Sequence, residues 1–261
     1  MKLILVPDIF GCTTEFQQYA NTQKSMLDKM INQDIELVLV DPYQGQTFEF
    51  DNDTQAYEKY LSLGGHEHYL SLIKKEIESN KNDDVYIVGF SAGASAIWRA
   101  LDGFKSDKHC EFIGFYPSQI RNFLDIKLNI KSHIIFPQSE SHFEVKDVME
   151  SLGHYESLKI SHTQYQHGFM NPLSKGFNES AFNEFQMNAA VSIMSYFRKP
   201  PLTPVSSIIN IEDGLLPQSI LNAMDAVRAS GAVPDKDAVD LCLKVHKGEI
   251  TFDKAIEIAL E

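Results

Sequence analysis

Short apolar runs alternate with longer segments of helical periodicity over the first 197 residues of the chain. The apolar runs predict strands at 2–6, 35–40, 84–89, 111–116, 131–136 and 158–161. Segments in which apolar residues recur every three or four positions predict helices at 15–31, 66–78, 92–101, 143–152 and 179–197. Because helices separate most of the strands, the connections are expected to be right-handed crossovers between parallel strands. The pattern therefore predicts an α/β fold with a mostly parallel sheet flanked by helices.

A proline-rich segment follows the last of these helices. Pro200, Pro201 and Pro204 cannot continue a helix and favour extended backbone. Beyond them the pattern predicts three short helices, at 218–229, 235–247 and 251–260. We therefore predict an α/β domain at 1–198, a proline-rich linker at 199–216 and a small, all-helical C-terminal module at 217–261.

The charge balance narrows the classes of partner. The chain carries 36 acidic residues against 23 Lys and Arg, a formal net charge of −13, and 43% of its residues are apolar. Such a surface repels nucleic-acid phosphates and anionic lipids, so neither nucleic acid nor a membrane is expected as a partner. The opening apolar run ends at Pro7 and is too short for a signal-peptide core. Three widely separated cysteines favour a reducing cytoplasm and give no sign of a disulfide framework or zinc site.

The strongest chemical signal is Gly89-Phe90-Ser91-Ala92-Gly93, which lies between a predicted buried strand and a predicted helix. A sharp strand-to-helix turn exposes the serine hydroxyl above the sheet, and its crowding requires very small residues two positions before and after the serine. The N-terminus of the new helix then directs N–H groups toward developing negative charge. We interpret Ser91 as a nucleophile; the alternative is a glycine-rich turn with a chemically idle serine.

A serine hydroxyl is a weak nucleophile unless a base accepts its proton. In folds with this turn the base follows the nucleophile, on the loop after the last core strand. Two histidines compete there, His162 and His167. His162 lies almost inside the predicted strand, whereas His167 lies in the loop and is followed by Gly168, which leaves space beside the imidazole. Position therefore favours His167.

The loop after the penultimate strand should supply the carboxylate that orients the base. Glu140 is the first acidic residue after the strand 131–136, and we predict that it fixes the imidazole tautomer and stabilises the imidazolium. Glu144 and Asp147 are weaker candidates because they fall at or within the next predicted helix. The alternative for Glu140 is a solvated loop carboxylate without a role in catalysis.

The oxyanion of an acyl-transfer intermediate needs two N–H donors. We predict that Ala92, directly after the nucleophile, supplies one and that Ile9, in the loop after the first strand, supplies the other. Asp8 is an accessory candidate that either accepts a hydrogen bond from Ser91 or an adjacent turn, or caps the loop. Cys12 is a rival nucleophile in principle, but it lies in no such turn and has no assigned base.

These segments resemble the dienelactone hydrolase family of the α/β-hydrolase superfamily. The resemblance rests on Asp8–Gly11, Gly89–Gly93 and His167–Pro172, and the order and spacing of the three agree over residues 1 to about 197. It implies hydrolysis of small esters or lactones through an acyl-enzyme, with no metal ion and no organic cofactor. Members of that family typically carry cysteine where this chain has Ser91, which points to serine-esterase chemistry.

The sequence thus predicts a cytoplasmic carboxylic ester hydrolase that cleaves small esters, lactones or thioesters with Ser91, His167 and Glu140. A hypothesis from another class is a catalytically weak binding or scaffold protein on a hydrolase fold, with the helical tail as its docking module. A third is an amide or peptide hydrolase that uses the same three residues. The C-terminal module is also a candidate surface for a second copy of the chain or for a protein partner.

Overall fold

A computed structural model describes residues 1–31, 34–106, 108–153, 155–197 and 236–251, together with 254, 255 and 258. The strands are β1 Lys2–Val6, β2 Glu36–Leu39, β3 Val85–Phe90, β4 Cys110–Phe115, β5 Lys131–Phe136 and β6 Leu158–His162. The helices are α1 Thr14–Ile31, α2 Asp53–Ser62, α3 Gly65–Ser79, α4 Ala92–Ala100, α5 Val145–Leu152, α6 Glu179–Phe197 and α7 Lys236–His246, and Ser118–Asn122 forms a 3₁₀ turn. Each predicted strand is present, displaced by at most one residue at either end.

All six strands lie in one parallel sheet with the order β2-β1-β3-β4-β5-β6. The chain begins inside the sheet at β1, adds β2 on one side, and then crosses back to place β3 on the other side. The direction of winding reverses between β1 and β3, and in open parallel sheets ligands bind beyond the carboxyl ends of the strands at such a point. The predicted α/β fold with a mostly parallel sheet is therefore confirmed.

The core lies around the central strand β3, all six residues of which are buried. Helix α4 packs against β3 and β4, and α3 packs against α4. Trp98 of α4 is completely buried, and its indole N–H donates to the Phe123 carbonyl over 3.0 Å. Full burial of a large apolar side chain stabilises the folded state by about 1.5–3 kcal/mol. Helix α4, whose first residue follows Ser91, is thus packed against the most buried strand of the sheet.

Helix α2 is a feature that the periodicity does not predict. Asn52 caps it by accepting a hydrogen bond from the Gln55 N–H over 3.0 Å. Ala56 and Tyr60 are buried, whereas Tyr57 and Leu61 are 40% and 46% exposed. Because apolar residues occur on both sides of this short helix, no continuous apolar stripe marks it in the sequence.

The chain divides into two compact units, Met1–Thr22 with Asp34–Asn178, and Gln23–Gln33 with Glu179–Glu261. The first unit contains the whole sheet. In the second, α6 contacts α7, which corresponds to the predicted helix at 235–247. The predicted linker at 199–216, the helix at 218–229 and most of the helix at 251–260 lie outside the described residues, so the predicted domain limits remain a prediction. No helix in the described part of the chain has the length and apolar character needed to cross a membrane.

Candidate active site

Ser91 lies at the junction of β3 and α4 with φ 46° and ψ −111°. Such a conformation costs a non-glycine residue on the order of 1–3 kcal/mol and is kept only where the surroundings impose it. A Cβ at Gly89 would overlap Ile97 and Ala94, and one at Gly93 would overlap the carbonyl oxygens of Val6 and Pro7. The two glycines therefore let the turn close against the end of β1, as the sequence pattern predicts.

Three predicted side chains meet above the carboxyl ends of the strands. Ser91 Oγ lies 2.8 Å from His167 Nε2, and His167 Nδ1 lies 2.7 Å from Glu140 Oε1. The serine and the carboxylate are nearly buried, 8% and 9% exposed, whereas the imidazole is 33% exposed. The three groups follow β3, β6 and β5, which end at the same edge because the sheet is parallel. This arrangement can move a proton from the hydroxyl to an imidazole that a carboxylate holds.

The competing candidates are not brought to Ser91. His162 ends β6, and its Nε2 lies 3.2 Å from the Gln138 carbonyl oxygen. Glu144 directly precedes α5, and Asp147 is within that helix. Among the described residues, neither His162 nor these two carboxylates form a hydrogen bond with Ser91 or His167.

Tyr116, which the sequence analysis does not single out, supports the imidazole. It follows β4 with φ 40°, and its N–H donates to the Ile135 carbonyl over 2.7 Å. Its ring is completely buried, with its centroid 4.9 Å from that of His167. This contact fixes one face of the imidazole. The sequence carries no signal for it, because the apolar pattern places Tyr116 inside the predicted strand at 111–116, whereas β4 ends at Phe115.

The loop that carries His167 is tied to two distant segments. Asn171 Nδ2 donates to Asp8 Oδ2 over 2.8 Å. Ser174 Oγ donates to Asp53 Oδ1 over 2.8 Å, and the Lys175 N–H donates to the other oxygen of Asp53 over 3.2 Å. These bonds connect the loop to the segment after β1 and to the first turn of α2, and they restrict where the imidazole can lie.

Asp8 is buried, 6% exposed, and its carboxylate bridges two loops rather than contacting the serine. Oδ1 accepts the Phe10 N–H over 2.9 Å and Oδ2 accepts the amide of Asn171, while no hydrogen bond to Ser91 is present among the described residues. The carboxylate thus caps its own loop through the Phe10 N–H and also accepts from Asn171, and its accessory role in catalysis stays a prediction. Burial raises the pKa of this carboxyl, and its two hydrogen bonds and the nearby His167 oppose the shift only in part.

The Ile9 amide is the one backbone donor of residues 9–13 without an acceptor in the described structure. The Phe10 N–H donates to Asp8 Oδ1, and the Gly11 N–H donates to the Asp8 carbonyl. The Cys12 N–H donates to Asp41 Oδ1, and the Thr13 N–H donates to the Gly11 carbonyl. Ala92 begins α4, and the first N–H groups of a helix have no partner within it. Neither of the two predicted oxyanion donors therefore has a hydrogen-bond acceptor among the described residues, and their role stays a prediction.

Cys12 does not have the properties of a second nucleophile. Burial, together with the Asp41 carboxylate, raises the pKa of its thiol to about 12, so the reactive thiolate is scarcely populated near neutral pH. In the described part of the chain, no three side chains of His, Cys, Asp or Glu cluster in a way that could hold a metal ion. Of the two candidate nucleophiles, Ser91 is the one whose side chain lies within hydrogen-bond distance of an imidazole.

Comparisons with known proteins show the fold. No family model matches the chain. YczH, an uncharacterized protein of Bacillus subtilis (strain 168), is 24% identical over 184 residues, which are 69% of this chain and 86% of YczH. A dienelactone hydrolase-like promiscuous phosphotriesterase from metagenomic libraries is 11% identical, with a TM-score of 0.52 over 75% of this chain and 84% of its own. The solved structure named m3DLH is also 11% identical, with a TM-score of 0.50 over 75% and 85% of the two chains. The chain therefore has the α/β-hydrolase fold, and the narrower resemblance to the dienelactone hydrolase family remains a prediction.

Proposed function

We propose that the protein is a serine hydrolase that cleaves small carboxylic esters, lactones or thioesters through an acyl-enzyme. The observation that carries the proposal is the continuous hydrogen-bonded series Ser91–His167–Glu140, with spacings of 2.8 and 2.7 Å. A buried carboxylate, an imidazole and a strained serine rarely share such geometry unless the serine is to be activated. The α/β-hydrolase fold supports the proposal by analogy, since fold alone does not determine function.

In the proposed reaction, His167 Nε2 accepts the Ser91 proton as Oγ attacks the carbonyl carbon of the substrate. The amides of Ile9 and Ala92 donate to the oxyanion of the tetrahedral intermediate. The imidazolium then protonates the leaving alcohol or thiol, and Ser91 becomes the acyl ester. Water attacks that ester with His167 again as the base, which releases the acid and restores the serine. Glu140 holds Nδ1–H throughout and stabilises each imidazolium.

Small substrates fit the exposure of the site. Ser91 is 8% exposed and Glu140 is 9% exposed, so the serine can be approached chiefly from the side of the more exposed imidazole. The Glu140 carboxylate behind His167 adds negative charge near the site, which disfavours a substrate with an anionic group next to its scissile carbonyl. The proposed reaction needs only these side chains and water, which is the second substrate.

The test is covalent labelling combined with hydrolysis. A fluorophosphonate probe should label the wild type at Ser91, and Ser91→Ala should abolish both the labelling and the hydrolysis of p-nitrophenyl acetate. His167→Ala should lower both by at least about 10³-fold, whereas the matched variant His162→Ala should stay close to the wild type. A wild type that neither reacts nor hydrolyses short esters would refute the proposal and favour the binding-protein hypothesis.

A further inference from the structure

Tyr43 contacts the backbone of the residue that supplies the proposed oxyanion donor. Its hydroxyl donates a hydrogen bond to the Ile9 carbonyl oxygen, 34 residues away in the chain. We infer that Tyr43 is a positioning residue, which holds the Ile9 amide in the orientation that an oxyanion on Ser91 requires. The inference rests on the proposed function and adds a residue that neither the motifs nor the comparisons assign.

The two peptide groups on either side of Ile9 are each held by hydrogen bonds. The Asp8–Ile9 peptide is held through its carbonyl, which accepts the Gly11 N–H over 3.1 Å. The Ile9–Phe10 peptide is held at both ends, because its N–H donates to Asp8 Oδ1 over 2.9 Å and its carbonyl accepts from Tyr43. The Ile9 N–H alone is left without an acceptor. Loss of the hydroxyl would release one of the two bonds that hold the Ile9–Phe10 peptide, which directly follows the peptide that carries the donor.

The hydroxyl is placed by packing and by a shared carboxylate. Asp41 accepts the N–H groups of Tyr43 and Gly45 over 3.2 and 2.7 Å, and it also accepts the N–H of Cys12 over 3.2 Å. One carboxylate therefore fixes the segment that carries Tyr43 to the end of the loop that carries Ile9. The Tyr43 side chain is buried beside Gly11, where a Cβ would overlap the ring.

The buried surroundings of Tyr43 also keep its hydroxyl protonated, so that it can donate a hydrogen bond. Burial and the carboxylates of Asp8 and Asp41 raise the pKa of Tyr43, so the phenol stays protonated over the range in which the enzyme would be assayed. In the absence of the hydroxyl, the Ile9 carbonyl would lose its only hydrogen-bond donor among the described residues. The Ile9–Phe10 peptide would then be held only through the Phe10 N–H, and the Ile9 N–H of the preceding peptide would be directed less firmly at the oxyanion.

The expected effect is on the transition state rather than on substrate binding. Removal of a whole oxyanion donor lowers kcat by about 10²–10³-fold in enzymes of this chemistry. Tyr43→Phe leaves the donor present but less well held, so we expect kcat to fall by about 10–100-fold and KM to change by less than about twofold. The affinity for a trifluoromethyl ketone, which forms a tetrahedral adduct with the serine, should fall by a similar factor.

The experiment compares Tyr43→Phe with Tyr60→Phe. Tyr60 is equally buried, and its hydroxyl bonds to His66 Nδ1 over 3.2 Å, away from the Ile9 loop. Both variants lose one buried hydroxyl and should have similar melting temperatures, but only Tyr43→Phe should lose kcat and ketone affinity. Equal kinetics in the two variants, or a loss in Tyr43→Phe that lies wholly in KM, would overturn the inference while leaving the hydrolase intact. An inactive wild type would instead refute the proposed function and, with it, this role.

Discussion

Replacement of Glu140 by Gln tests whether the carboxylate beside His167 Nδ1 stabilises the imidazolium. When His167 accepts the serine proton, the positive imidazolium lies against a carboxylate oxygen that is 2.7 Å from Nδ1. Two unit charges with centres about 4 Å apart attract by about 4 kcal/mol at an effective dielectric constant of about 20. In the proposed reaction this attraction arises when the imidazole accepts the serine proton, so nearly all of it would stabilise the transition state. Because the imidazole is 33% exposed, solvent reduces the effect, and we expect kcat to fall by about 10²–10³-fold.

The assay is steady-state hydrolysis of p-nitrophenyl acetate, with kcat and KM determined separately. KM should stay within a few-fold of the wild type because His167 separates Glu140 from Ser91, where the substrate would react. Glu144→Gln is the matched control, since it neutralises a carboxylate of the same loop that does not bond to His167. Stabilisation of the imidazolium by Glu140 would be refuted if Glu140→Gln kept more than about a third of the wild-type kcat. It would also be refuted if Glu144→Gln lowered kcat as much as Glu140→Gln does.

Three further predictions concern the turn at Ser91, the buried carboxylate of Asp8 and the thiol of Cys12. Gly93→Ala should lower the free energy of unfolding by about 2–3 kcal/mol in urea denaturation, because its Cβ overlaps two carbonyl oxygens, whereas Gly103→Ala, with open space but φ +68°, should cost only about 1 kcal/mol. Since burial raises the pKa of Asp8, the folded state binds its proton more tightly than the unfolded chain, and this stabilisation is lost as the pH rises through the raised pKa. The unfolding free energy of Asp8→Asn relative to the wild type should therefore increase as the pH rises above about 4, and a difference that does not change with pH would contradict this account. Cys12→Ser should keep kcat within about twofold, and iodoacetamide should not inactivate the wild type; rapid inactivation would show a reactive thiol.

The features predicted correctly from sequence are those with local causes. The turn at Ser91 requires small residues within two positions on each side, so its signal is contained in five consecutive residues. The strands are buried on both faces and therefore appear as continuous apolar runs. The fold class and the strand limits follow from such patterns.

The features of the site that the sequence does not predict depend on contacts between residues far apart in the chain. The bond between Asp8 and Asn171 joins positions 163 residues apart, and the bond from Tyr43 to Ile9 spans 34. The residues next to Asp8 and Tyr43 do not indicate which group each side chain binds. Several polar groups within a few residues could form a hydrogen bond with either side chain equally well. The position of Tyr116 against His167 likewise depends on how β4 and β6 are arranged in the sheet rather than on residues next to either.

The strand order has a consequence for synthesis of the protein. Ser91 follows the central strand, but the imidazole that would activate it comes 76 residues later, in the loop after the edge strand β6. As the chain emerges from the ribosome, the serine turn is complete before its base has been translated. Even afterwards the hydroxyl remains an ordinary alcohol until β6 pairs with β5. Under the proposed mechanism, a nascent or partly folded chain would therefore not be acylated at Ser91, and ester hydrolysis would begin only when the last strand of the sheet is in place.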